Sequence, residues 1–200
     1  DIINELDLKT VLVETKDKEG RLPSVYIDNI EATYEATKHL LDKGIKNIAF
    51  IGVDKSSANA WGDRYIGYEK ALNEAGITVD EDLVYFEGLK VKSGYVASEK
   101  FLASGKNFDG IICASDEIAM GAINGLREKG VNTPEDVSVI GFNDNVVASY
   151  FYPKLTTVKQ PSYDMGSVAM RMLIKILNNK PLEKAEFILK HELIERESCK

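Results

Sequence analysis

Apolar positions along the chain fall into two alternating patterns. Runs such as Thr10-Val11-Leu12-Val13, Asn47-Ile48-Ala49-Phe50-Ile51 and Ile111-Ile112-Cys113-Ala114 are short and continuous, as in strands covered on both faces. Between them apolar residues recur at helical spacing, as in Ala32, Ala36 and Leu40 before Gly44, or Tyr65, Tyr68, Ala71 and Leu72 before Gly76. The pattern predicts strands over 10–13, 24–27, 47–51, 83–86, 110–114, 137–141 and 155–158. It predicts helices over 30–43, 60–75, 93–104, 116–129 and 164–177, and one alternating strand over 187–195. Gly44, Gly76 and Gly130 read as helix stops. Repeated β-to-α steps predict an α/β fold of doubly wound parallel sheets, with right-handed crossovers placing helices on both faces.

The 200 residues bury enough surface for a core without disulfides or metals, and 44% hydrophobic with 28% charged content excludes disordered and fibrous classes. With 32 acidic against 25 basic residues and a net charge of −7, the chain as a whole is repelled by phosphate backbones and should not grip nucleic acid by itself. Cys113 and Cys199 make no CxxC pair and no disulfide framework, which fits a reducing compartment, the cytoplasm. No run of 18 apolar residues suggests a membrane span, and the segment opening at Asp1 lacks a basic and then apolar signal pattern.

A search for chemistry finds no phosphate-binding glycine loop, no dinucleotide fingerprint, no nucleophile elbow and no zinc-binding helix motif. His191-Glu192-Leu193-Ile194-Glu195 is a near miss on a predicted strand, where alternate residues face opposite ways. His39 reads as a packing or surface residue and Cys113 as a small buried hydrophobe. No cofactor and no metal are expected. In open α/β sheets, ligands sit beyond the carboxyl ends of the strands, where the strand order reverses. That rule selects Glu14, residues 53–64 and 87–90, Ser115, Asp116, Asn143 and Asp144, a short polar set suited to a small hydroxylated or charged molecule.

Several motifs occur in a familiar order. They are Ser24-Val25-Tyr26-Ile27-Asp28-Asn29; Gly44-Ile45-Lys46-Asn47-Ile48-Ala49-Phe50-Ile51-Gly52; Arg64-Tyr65-Ile66-Gly67-Tyr68; Ser115-Asp116-Glu117-Ile118-Ala119-Met120-Gly121; Pro134-Glu135-Asp136-Val137-Ser138-Val139-Ile140-Gly141-Phe142; and Leu155-Thr156-Thr157-Val158-Lys159-Gln160-Pro161. Together with the closing Leu193-Ile194-Glu195-Arg196-Glu197-Ser198, they resemble the effector-binding core of the lactose-repressor/galactose-repressor family of bacterial transcription regulators.

The resemblance implies a periplasmic-binding-protein type I fold of two α/β subdomains, with the effector in the cleft between them. It assigns residues 1–51 and 159–181 to a partial N-terminal subdomain and 52–158 with 182–200 to the C-terminal one. The family's helix-turn-helix has no counterpart in these residues, so a truncated fragment is expected, with a sheet edge and apolar helix faces left uncovered. The implied function is the effector-sensing and dimerisation core of a regulator or repressor. Its partners would be a sugar, sugar phosphate or nucleobase-like effector, a second copy of the chain and, through the absent domain, operator DNA.

The resemblance also supplies a site. Arg64 matches an effector-contacting arginine, whose planar guanidinium can bond two hydroxyls or a phosphate at once; it is expected to face the cleft from a helix start. Trp61, one helical turn earlier, could stack on a sugar face or pack in the core. Leu89 stands where relatives often place the stacking aromatic, a departure that would either shift that role to Trp61 or Phe86 or remove it. Ser115 replaces a frequent asparagine, and Asp116 reads first as a helix cap. Asn143 replaces a frequent carboxylate, so it donates as well as accepts. Glu14 and Gln160 match cleft-lining positions, and Lys90 and Lys92 stand near the rim. Two alternatives remain: an exported sugar-binding protein of the ribose type, which shares the fold, and an enzyme, which would rest only on unpaired carboxylates.

Overall fold

A computed structural model describes residues 3, 8–17, 19–57 and 59–200. Ala58, inside the predicted 53–64 segment, lies outside them. The chain divides into two compact units, Asp1–Asp28 with Gln160–His191, and Asn29–Lys159 with Glu192–Lys200.

In the smaller unit, strands β1 (Leu12–Val13), β2 (Ser24–Ile27) and a later β8 (Glu186–Leu189) form a parallel sheet in the order β1-β2-β8. Across β2 and β8, the Tyr26 hydroxyl donates to Glu186 Oε2 at 2.6 Å. The unit's helix, Ser162–Leu177, packs on β1 and β2 through a face that buries Met165, Ala169 and Met172. The other face leaves Tyr163, Met170, Ile174 and Leu177 exposed.

The larger unit begins with α1 (Asn29–Asp42), followed by β3 (Ile48–Ile51), α2 (Ala60–Glu74), β4 (Val84–Tyr85), α3 (Val91–Ala103), β5 (Gly110–Cys113), α4 (Asp116–Glu128), β6 (Ser138–Asn143) and β7 (Thr156–Lys159). The Ser162–Leu177 helix is therefore α5, and the last strand is β9 (Glu192–Ile194). Six strands form one sheet in the order β4-β3-β5-β6-β7-β9, parallel throughout except for the antiparallel β7–β9 pair. The chain moves outward from β3 to β4 and returns past β3 to β5, so right-handed crossovers put α2 and α3 on opposite faces. In agreement, α1 packs on α2 and α3 packs on α4. Phe50, Ile51, Ile111, Ile112, Val139, Ile140 and Phe142 fill the interior between those layers, which is why their strands read as unbroken apolar runs. Gly44 and Gly130, read as helix stops, take φ of +83° and +78°.

The architecture follows the alternating pattern, with three differences. The expected boundary at residue 51 falls at Asp28, because α1 packs on α2 and β3 belongs to the six-stranded sheet. Residues 182–191 fall with the smaller unit, because β8 pairs with β2. For the same reason the single strand expected over 187–195 is two strands, one for each sheet, and the second runs antiparallel.

Candidate effector site

Strand order in the larger unit reverses between β3 and β5, and the candidate site gathers at the carboxyl ends of these strands. At the end of β3, Asn59 caps α2 by accepting the Trp61 and Gly62 backbone N–H groups at 3.0 and 3.3 Å. That cap starts α2 so that Arg64, on its first turns, lies under the end of β5. The Arg64 Nη1 donates to the Ala114 carbonyl, just past β5, at 2.6 Å, and Nε donates to Asn29 Oδ1 at the start of α1 at 2.9 Å. The guanidinium carbon lies 3.6 Å from the Phe142 ring centroid and 4.4 Å from that of Trp61. One cation thus joins the ends of β5 and β6 to α1 through hydrogen bonds and a ring contact.

Arg64 has no accessible surface at all. This corrects the expectation that it faces the cleft from a helix start: it is a core residue under the strand ends, and its rings and acceptors hold the site floor together. Trp61 is half-buried, stacked on that cation. Leu89 is also half-buried, in the loop after β4 next to Gly88, whose φ is +107°. Phe86 packs edge-on against Tyr65 with centroids 5.1 Å apart, in an aromatic group that includes Phe50 and Tyr68. Burial pushes the Tyr65 hydroxyl up to about 12.

At the end of β5, Ser115 is the residue that caps α4, its hydroxyl accepting the Ile118 N–H at 3.3 Å. Asp116 was expected in that role. Its side chain instead turns under the end of β6, where Oδ2 accepts the Asn145 N–H at 2.6 Å and Oδ1 accepts the Thr157 hydroxyl at 2.5 Å. Asp116 is fully covered, and burial raises its carboxyl pKa to about 6 against the pull of these two bonds. Gly141 makes room for it, since a Cβ there would stand 2.5 Å from Asp116 Oδ1.

Asn143, the last residue of β6, is half-buried with φ of +111°, and Asp144 follows at +55°. Two consecutive non-glycine residues in this region are costly, and the neighbouring bonds hold them there. Arg196 donates from Nη2 to Asp144 Oδ1 at 2.6 Å and from Nη1 to the Leu155 carbonyl at 2.8 Å.

Of the remaining candidates, Glu14 and Gln160 belong to the smaller unit, and Lys90, Lys92, Cys113 and His39 to the larger. Gln160, directly after β7, donates from Nε2 to Glu14 Oε1 at 3.0 Å, and Glu14 follows β1 with φ of +66°. Lys90 and Lys92 are exposed. Cys113 is buried, and burial pushes its thiol well up, as for an inert core residue. His39 is half-buried with Nε2 3.6 Å from Glu195 Oε2, and burial lowers its pKa. Among the described residues no helix is long and apolar enough to cross a membrane.

Sequence reasoning gave no role to Asn29, Phe142, Thr157 or Arg196. Asn29 had an available signal, since it stands just beyond the strand over 24–27 where the strand-end rule applies. Thr157 and Arg196 sit inside quoted motifs, but nothing in a linear motif pairs them with Asp116 and Asp144.

A family model described as a periplasmic binding protein-like domain matches residues 37–199. The HTH-type transcriptional regulator RegA of Clostridium saccharobutylicum is 65% identical over 198 residues, which cover 99% of this chain and 60% of that protein. The chain thus spans about 60% of the length of such curated relatives. Among solved structures, the transcription regulator CcpA of Lactococcus lactis superposes with a TM-score of 0.91 at 36% identity, covering 99% of this chain and 72% of the other. The transcriptional regulator CelR in complex with cellobiose superposes with a TM-score of 0.91 at 32% identity, covering 98% and 61%. Fold, family model and relatives agree, and the chain belongs to the periplasmic-binding-protein-like family, among the LacI-type transcription regulators.

Proposed function

We propose that this chain is the effector-sensing core of a bacterial DNA-binding transcription regulator, and that it takes a small sugar or sugar-like molecule at the strand ends around Arg64. The observation that carries the reading is the assembly at the β3/β5 switch point. There a buried guanidinium locks the ends of β5 and β6 to α1, with half-buried Trp61 stacked on it, while Leu89 after β4 and Asn143 at the end of β6 also keep accessible surface. This combines an aromatic face for a sugar ring with an amide that both donates and accepts. Arg64 anchors the floor and reaches an effector when the side chains covering it shift; Ser115 and Asp116 hold the surrounding loops. The relative solved with cellobiose supports a saccharide as the ligand class. Similarity to regulators also favours this reading over an exported uptake protein and over an enzyme, and it supports a cytoplasmic location for the protein.

The sole tryptophan supplies the test. A panel of sugars including cellobiose, sugar phosphates and nucleobases is screened by thermal shift and by Trp61 emission. A true effector at a hundred times its Kd adds about 2.7 kcal/mol of stability and changes the emission. A panel in which every compound leaves both signals unmoved overturns the reading.

The homodimer is proposed on a separate observation. Val146, Val147, Tyr150 and Tyr152, on one segment after β6, are 78%, 56%, 83% and 78% exposed. Such an apolar cluster fits burial against a second copy. Tyr150→Glu with Tyr152→Glu should convert a sedimenting dimer to monomer; a wild-type chain that is monomeric at high concentration refutes it.

A further inference from the structure

Besides the Arg196–Asp144 pair, one buried carboxylate holds the strained backbone of the loop that follows Asn143. Asp116 Oδ2 receives the Asn145 N–H, and Oδ1 receives the Thr157 hydroxyl, which in turn accepts the Asp144 N–H at 3.4 Å. The direction of these bonds is set by the donors. A backbone N–H can only donate, and with the Asp144 N–H arriving at Thr157 Oγ1, the hydroxyl hydrogen points at Asp116. Both bonds therefore suit the ionised carboxylate, as charge-assisted bonds to a buried anion.

From this geometry we propose that Asp116 is a positioning residue for Asn143: its ionised form latches the loop at residues 143–145 in the conformation that presents Asn143, and its protonation releases the latch. The proposal deepens the effector-site reading, on which it depends only for the meaning given to Asn143. A proton on Oδ1 turns that oxygen from acceptor to donor, so the Thr157 hydroxyl hydrogen loses its target. The Asn145 N–H is left with a neutral carbonyl-type acceptor in place of an anion. The charged groups facing Asp116 are Asp144, in the loop after β6, and Arg196, after β9, which are paired with each other; the buried Cys113 thiol at the end of β5 stays neutral. Burial is what brings the protonation into an accessible range, with the Asp116 carboxyl raised to about 6.

The test uses the wild-type chain and needs no effector. The Asn145 amide proton shift and exchange rate, with the Asp116 side-chain carboxyl ¹³C shift, are followed by NMR from about pH 7.5 down to about pH 5, a range that spans the raised pKa. The expected result is a single titration shared by the carboxyl and the Asn145 amide, with the Asn145 protection factor, its exchange corrected for the intrinsic pH dependence, at least about tenfold lower at the acid end while core amides stay protected. D116N, which mimics the protonated acid in shape and charge, should show the weakly protected Asn145 at every pH. An Asn145 amide that ignores pH while the Asp116 carboxyl titrates overturns the proposal. So does an unchanged titration of that amide in D116N, which would assign the effect to Asp144. Because both readouts are independent of any ligand, failure of the latch and failure of the effector-site reading are separate results.

Discussion

Replacing Arg64 with alanine should destabilise the larger unit by about 3 kcal/mol, where a rim-exposed arginine would cost under about 1 kcal/mol. The side chain is fully covered, and its Nε and Nη1 hydrogens satisfy Asn29 Oδ1 and the Ala114 carbonyl. Alanine orphans both acceptors, at about 1–3 kcal/mol each. It also empties the slot between the Phe142 and Trp61 rings, and large-to-small changes in a packed interior add about 2–5 kcal/mol. Against these stands the recovered hydration of a buried cation, several kcal/mol in the opposite direction, which brings the net to about 3 kcal/mol. Arg64→Met keeps most of the volume and should recover the cavity part, costing about 1–2 kcal/mol less than alanine. Arg64→Lys should rescue little, because a single ammonium cannot span acceptors on α1 and beyond β5 in the way the fork does. The assay is urea unfolding followed by Trp61 emission, compared at constant m-value. Alanine within about 0.5 kcal/mol of wild type would refute the reasoning, as it would show the guanidinium to be a surface group. Methionine as costly as alanine would show that the slot carries no packing energy.

Three further outcomes are expected. Gly141→Ala drives a Cβ to 2.5 Å from Asp116 Oδ1 and 2.8 Å from Leu155 Cδ2, so it should cost about 1–3 kcal/mol in a thermal melt; an unchanged melt would show that the Asp116 position is soft. With its carboxyl pKa raised from 3.8 to about 6, Asp116 binds more protons folded than unfolded between these values, so its contribution to stability falls as pH rises through that window and is fully lost above it. The loss, about two pKa units or roughly 3 kcal/mol, should appear as a pH-dependent gap between wild type and D116N, and parallel stability curves would refute it. Finally, the 200-residue chain, with its net charge of −7, should enrich no sequence from a random duplex pool at physiological salt, and reproducible enrichment of one motif would overturn that expectation.

The sequence by itself determined the α/β class and the order of elements. Those features depend on local periodicity: an unbroken apolar run such as 48–51 must be covered on both faces, and a glycine such as Gly44 can stop a helix with positive φ wherever the helix lies. The motif residues Arg64, Ser115, Asp116 and Asn143 were also legible as a group, since all four follow strands in the order the rule requires.

Their roles were decided only by the tertiary structure. Nothing local distinguishes an arginine on a helix surface from one with no accessible surface; the difference lies in Asn29 and Ala114, which are 35 and 50 residues away in sequence. Asp116 and Ser115 are equally good helix caps by propensity, and which one capped α4 was settled by Thr157 and the Asn145 N–H drawing the Asp116 carboxylate under β6. The closing residues 187–195 read as one alternating strand because both halves satisfy the same period, and only the choice of neighbours, β2 for one half and β7 for the other, divides them between sheets. Periodicity fixes what a segment can become, while partners distant in sequence fix what its polar side chains do.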